Sequence, residues 1–166
     1  MTDSCEWLPD LVLLEKYGGD WETYIKAVYQ YLKQDFVDSR PTFEKKNVGL
    51  QREPLFQEKE YSFWHCTSEG EEEEERTTDI RRCERIRWPR PIIEHPTDGL
   101  VRCWRNKRKS EKRVLFWFYE EDYLVIIAER KTYFLLRTAY LVTYKHTKEK
   151  LLKEYKEYLK KADATS

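Results

Sequence analysis

No run of about 18 consecutive apolar residues occurs in the 166-residue chain, so no membrane-spanning helix is encoded. The opening residues, Met1-Thr2-Asp3-Ser4-Cys5, have neither the basic start nor the apolar stretch of a secretory signal, and a cytoplasmic location is expected. Cysteine is sparse. Cys5, Cys66, Cys83 and Cys103 stand far apart without a C-x-x-C pair, which signals neither a zinc site nor a disulfide framework; they read as reduced, mostly buried thiols. The three histidines show no metal-ligand spacing, and H-E-x-x-H, P-loop and G-x-S-x-G motifs are absent, so neither a metal nor a cofactor is called for. Net charge is also lacking. Lys and Arg together number 31, as do Asp and Glu, which excludes a global attraction to nucleic acid and shifts attention to how charge is distributed.

Aromatic residues, by contrast, make up 15% of the chain, which is not a disordered composition. The length suits one domain over residues 1–166, with a helical part in 1–60 and the remaining core in 61–166. After Gly18-Gly19, Asp20 is placed to cap a helix whose Trp21, Tyr24, Ile25, Val28, Tyr31, Leu32 and Phe36 fall at three- and four-residue steps. Val48, Leu50 and Arg52 suggest one strand, with a turn near Pro54, and five consecutive glutamates, Glu71 to Glu75, suggest a mobile acidic loop. Thr77-Thr78-Asp79 begins a second helix, with Ile80, Cys83 and Ile86 turned inward, ending or kinking near Trp88 because Pro89 and Pro91 follow. Four β-branched or aromatic runs, Leu100 to Arg105, Arg113 to Tyr119, Tyr123 to Glu129 and Tyr133 to Thr143, are separated by short polar links. Thr147 can then cap a helix carrying Leu151, Leu152, Tyr155 and Leu159 on one face. The expected fold is α+β: N-terminal helices, a four-stranded antiparallel β-meander, and a C-terminal helix packed on the sheet.

The most uneven feature is residues 81–113, where twelve cations face four carboxylates, a net of +8. Arg81, Arg87, Arg90, Arg105, Lys107 and Arg108 are candidates for phosphate contacts, with Trp88 and Trp104 as platforms for RNA bases. The competing reading is a solvated charged face neutralised by Glu71 to Glu75. His65, in Trp64-His65-Cys66, is the histidine best placed for proton transfer, although a buried structural imidazole fits the same context. His95 and His146 read as loop and helix-start residues. Strand alternation puts Thr138 and Tyr140 on one face with Leu136 and Val142, and Ala139 on the other with Arg137 and Leu141. A hydroxyl and a phenol side by side can hold a phosphate, or simply pack.

Phe63-Trp64-His65, the stretch Arg81-Arg82-Cys83-Glu84-Arg85-Ile86-Arg87-Trp88-Pro89-Arg90-Pro91-Ile92-Ile93, and Tyr133 to Tyr140, in that order, resemble the Barnase–EndoU–colicin–RelE superfamily of metal-independent ribonucleases, in particular its phage-associated RelE-like branches. The resemblance runs from about Tyr61 to the C-terminus. It implies RNA cleavage without a metal or other cofactor, by 2′-hydroxyl attack that leaves a 2′,3′-cyclic phosphate. It maps the family's histidine to His65, its basic residue to Arg81, Arg82 or Arg85, and its hydroxyl and phenol to Thr138 and Tyr140. It further implies a toxin held in check by an antitoxin or immunity protein. Two other classes remain open: a non-catalytic nucleic-acid-binding protein, and a phage or plasmid protein-interaction module.

Overall fold

Asp20 begins the first long helix, α1 (Trp21–Lys33), by accepting the Thr23 backbone N–H at 3.2 Å. Tyr24, Val28 and Leu32 are fully buried along it, and a π turn at Gln34–Asp38 keeps Phe36 on the same side. Trp21 departs from the expected stripe: in the first turn it meets the Tyr24 ring and stays 42% exposed. The computed structural model describes residues 5–53, 55, 59–69 and 77–165. The expected turn near Pro54 and the acidic run Glu71 to Glu75 lie outside these residues.

The sheet has six strands and is mixed, which corrects the expected four-stranded antiparallel sheet. The meander is present as β5 (Val101–Arg108), β6 (Glu111–Phe118), β7 (Tyr123–Glu129) and β8 (Phe134–Leu141). The N-terminal part, expected to be helical, adds β1 (Thr42–Phe43) and β2 (Lys46–Leu50), with β2 parallel to β8 from Val48 and Phe134 to Leu50 and Leu136. Two tight turns, Glu44-Lys45 and Lys109-Ser110, hold both central residues at positive φ, the geometry that matches strand twist. The second carries β5 three residues and β6 two residues further into the turn than expected, pairing Asn106 with Arg113 and Arg108 with Glu111. The sheet curls so that its edges approach. Phe43 on β1 packs edge-on against Phe116 and Phe134, and Glu44 pairs with Arg105 of β5.

Helices cover both faces. On one, α1, α2 (Tyr61–Thr67), α3 (Ile80–Glu84) and α4 (Pro89–Glu94) enclose a core containing Phe63, Cys83, Ile86, Ile92, Phe116 and Phe134. The helix expected to run to Trp88 ends at Glu84; Asp79 caps it by accepting the Arg81 N–H, while Thr77 and Thr78 lie in a short strand and supply no hydroxyl cap; Cys83 and Ile86 are buried, and Ile80 is exposed. Pro89 then starts α4 at its first position, where a missing N–H costs no hydrogen bond. A short β3–β4 pair (Ser68–Glu69, Thr77–Thr78) links α2 to α3. On the other face α5 (Lys145–Thr165) lays Leu151, Leu152, Tyr155 and Tyr158 over Trp104, Leu115, Trp117 and Leu124, while Leu159 is exposed. No helix among the described residues is long and apolar enough to cross a membrane.

Candidate functional site

Among the described residues, the α5 face of the sheet is covered at one end and open at the other. Trp104, Leu115 and Leu124 lie beneath the helix, and strand alternation continues their rows into Asn106, Arg108, Arg113, Thr138 and Tyr140. A β-bulge gathers these groups. The register shifts between Ile126 and Ile127, which pair with Thr138 and Leu136, leaving Arg137 as the extra residue. The expected alternation is corrected accordingly. Leu136 joins Ala139 in the helix-covered core, whereas Arg137 lines the same cavity as Thr138.

Because β2 pairs with β8 only as far as Leu136, the rest of that strand edge is open to α2. Ser62 docks α2 there, its buried hydroxyl donating to the Leu136 carbonyl at 2.5 Å and accepting the Gln51 N–H at 2.7 Å. One turn on, the His65 carbonyl accepts Thr138 Oγ1 at 3.0 Å and Arg82 Nη1 at 3.1 Å. The His65 ring lies against Tyr61, centroids 3.9 Å apart, with Nε2 enclosed. The resulting cavity of about 380 Å³ is lined by Tyr61, His65, Arg108, Lys109, Glu111, Arg113, Arg137 and Thr138. A second cavity, of about 400 Å³, adjoins it across Arg108 and Arg113 and reaches Tyr140 and the start of α5.

Charge at this groove is predominantly positive. Glu111 is committed to Arg137 at 3.3 Å and Arg130 at 3.5 Å, and Arg137 also donates to Gln51 and lies over the Tyr61 ring. Burial raises the Tyr140 phenol above its ordinary value, while Arg82, Arg113 and Arg108 act in the opposite direction; the phenol therefore stays protonated at neutral pH and remains a donor. Arg113 is lowered by burial first and then by Arg108.

Of the expected catalytic set, His65, Arg82, Thr138 and Tyr140 converge. Arg82 serves mainly as a strut: its Nη1 also donates to the Ser68 carbonyl at 2.6 Å, and its guanidinium lies 5.2 Å from the Tyr140 ring. Arg85 is elsewhere, over the Trp88 ring in a separate cavity with Cys5 and Glu121.

The expected RNA-binding set is dispersed. Only Lys107 and Arg108 line the groove. Arg81 is next to Asp79, Arg87 covers the Tyr31 ring, Arg90 donates to Ser39 and the Asp35 carbonyl, and Arg105 pairs with Glu44 and Glu129. Neither tryptophan is available to stack on a base. Trp88 is buried with its N–H on the Pro9 carbonyl, and Trp104 is 1% exposed with its N–H on Glu154. His95 stacks on Trp7, and His146 lies beside Tyr144.

Sequence reasoning missed Tyr61, Arg113, Arg137, Asn106 and Lys150 as site residues. Arg113 belonged to the basic stretch, but nothing local signalled the bulge that turns Arg137. Among the described residues, no group of three or more His, Cys, Asp or Glu side chains is arranged to hold a metal ion. No protein-family model matches this chain, and neither the curated proteins nor the solved structures contain a match.

Proposed function

We propose that the groove binds RNA and cleaves its backbone without a metal, leaving a 2′,3′-cyclic phosphate, as the resemblance to the Barnase–EndoU–colicin–RelE superfamily implies. One observation carries this reading: residues 73 positions apart in sequence, His65 and Thr138, line one cationic cavity with Arg108 and Arg113, beside a phenol that stays protonated. In this reading His65 takes the proton from the attacking 2′-hydroxyl and Tyr140 donates to the phosphate or the leaving 5′-oxygen. Arg113 and Arg108 replace Arg82 and Arg85 as the groups that balance charge in the transition state, since Arg82 is occupied by carbonyls and Arg85 faces another cavity. An enzyme of this kind calls for a neutralising partner protein in its host cell.

The test is incubation with total RNA, with and without EDTA, beside His65→Ala and Tyr140→Phe. Removing a transition-state donor costs on the order of a hundredfold in rate. Chelator-resistant cutting that leaves cyclic phosphate and falls by that order in Tyr140→Phe is the expected result. A second reading, nucleic-acid binding without cleavage, is favoured by the enclosure of His65 Nε2. Intact RNA in every lane, with salt-dependent binding retained, selects it.

A further inference from the structure

Beyond the pocket that holds His65, the second cavity gathers Lys107, Arg108, Arg113 and Lys150 beside Tyr140. None of these four cations enters an ion pair among the described residues, whereas Arg81, Arg82, Arg85, Arg90, Arg105, Arg130 and Arg137 all do. The cavity's single carboxylate, Glu154, is occupied: its Oε1 accepts Trp104 Nε1 and Asn106 Nδ2, both at 2.7 Å. Asn106 Oδ1 in turn accepts Arg113 Nε at 3.1 Å. With a carboxylate on one side and a guanidinium on the other, the amide has only one consistent orientation.

This relay from α5 through Asn106 uses the Nε of Arg113 and leaves its paired Nη groups, the fork that matches phosphate oxygens. Arg113 is half-buried next to Arg108, so it bears both a desolvation cost and like-charge repulsion; an anion seated between the two relieves both. Arg108 and Arg113 also line the His65 pocket, so the two cavities share a wall. Two cationic cavities with a common wall suit neighbouring phosphates of one strand better than a lone anion.

We infer that this second cavity is an anion subsite, completed by α5, that takes the phosphate next to the one in the His65 pocket, so that the ligand is a nucleic-acid strand with at least two successive phosphates. The inference rests on the RNA reading of the groove and is separable from cleavage. Asn106 is then a positioning residue, acting through Arg113, and α5 contributes Lys150 directly.

The test measures binding with strands that cannot be cut: 2′-O-methyl dinucleotide and tetranucleotide, titrated by fluorescence anisotropy across a salt series. The tetranucleotide is expected to bind more tightly, with a steeper salt dependence by about 0.7 for the additional seated phosphate. The double variant Lys107→Ala/Lys150→Ala should reduce the tetranucleotide slope by about that amount, while Lys160→Ala, on the exposed far end of α5, should not. Asn106→Leu, checked for folding by circular dichroism, should weaken the tetranucleotide more than the dinucleotide. Equal slopes for the two strands, or a double variant indistinguishable from wild type, overturn the subsite and leave the cleavage reading to the total-RNA assay. A length-dependent slope that the double variant removes, in a protein that leaves RNA intact, upholds the subsite and ends the cleavage reading.

Discussion

Replacing Ser62 with alanine removes the hydroxyl that joins α2 to both the chain after β2 and strand β8. Its Oγ is fully buried, accepts the Gln51 N–H at 2.7 Å and donates to the Leu136 carbonyl at 2.5 Å. A buried polar group left without a partner costs about 1–3 kcal/mol. Gln51 is only half-buried and water can partly serve its N–H, so the lower part of the range applies to it and the total is about 2 kcal/mol. For a chain of this length such a loss lowers Tm by about 4–8 °C. Thermal unfolding followed by circular dichroism measures this, with Ser39→Ala as the contrast. Ser39 likewise donates to a carbonyl, of Gln34 at 3.0 Å, and accepts Arg90 Nη1 at 2.7 Å, but at an exposed position where water can replace both partners, so the expected change is under about 1 kcal/mol. Because Ser62 lies one turn before His65, the variant should also slow the proposed RNA cleavage at temperatures where it remains folded. A Ser62→Ala protein melting within about 1 °C of wild type, or Ser39→Ala costing as much, refutes the docking argument.

The Arg105 guanidinium holds the Glu44 carboxyl below its ordinary 4.5. The pair's contribution is therefore complete above the unfolded value and lost as pH falls through the folded one. Both partners are at least a third exposed, so the effect is under about 1 kcal/mol; Arg105→Ala should shrink the drop in urea midpoint between pH 6 and pH 3. Ser110 sits at φ 67°, where a side chain is strained by about 1–2 kcal/mol, so Ser110→Gly should raise the urea midpoint; a fall would contradict the turn assignment. Burial pushes the Cys83 and Cys103 thiols up to about 12, so fully buried Cys83 should not react with a disulfide reagent at pH 8 until the protein unfolds, while half-buried Cys103 should react more slowly than a free thiol. Trp88→Phe loses the bond to the Pro9 carbonyl and should destabilise the fold by about 1–3 kcal/mol while leaving the salt slope of the proposed RNA binding unchanged; a changed slope would return Trp88 to the interface.

Local pattern determined much of this protein. The Asp20 cap and the Tyr24, Val28, Leu32 stripe, the four strands of the meander, and a C-terminal helix whose Leu151, Leu152 and Tyr155 face the sheet all follow from spacing that each segment carries within itself. His65, Thr138 and Tyr140 also stood out by residue type, though nothing in the chain placed them together. Tertiary structure decided the rest. The Glu44-Lys45 and Lys109-Ser110 turns lack the Asn-Gly or Asp-Gly that advertises a tight hairpin, so β1 and the longer β5–β6 ladder stayed hidden; they form because pairing and the packing of Phe43 outweigh the cost of positive φ. β2 joined β8 in parallel through a contact 86 residues apart, beyond any local signal. The bulge at Arg137 broke the two-residue period on which the face assignment depended. Charge counting failed for a related reason: a cation's availability depends on its partners, and most arginines of the basic stretch are occupied by carboxylates, carbonyls or rings that only folding brings near.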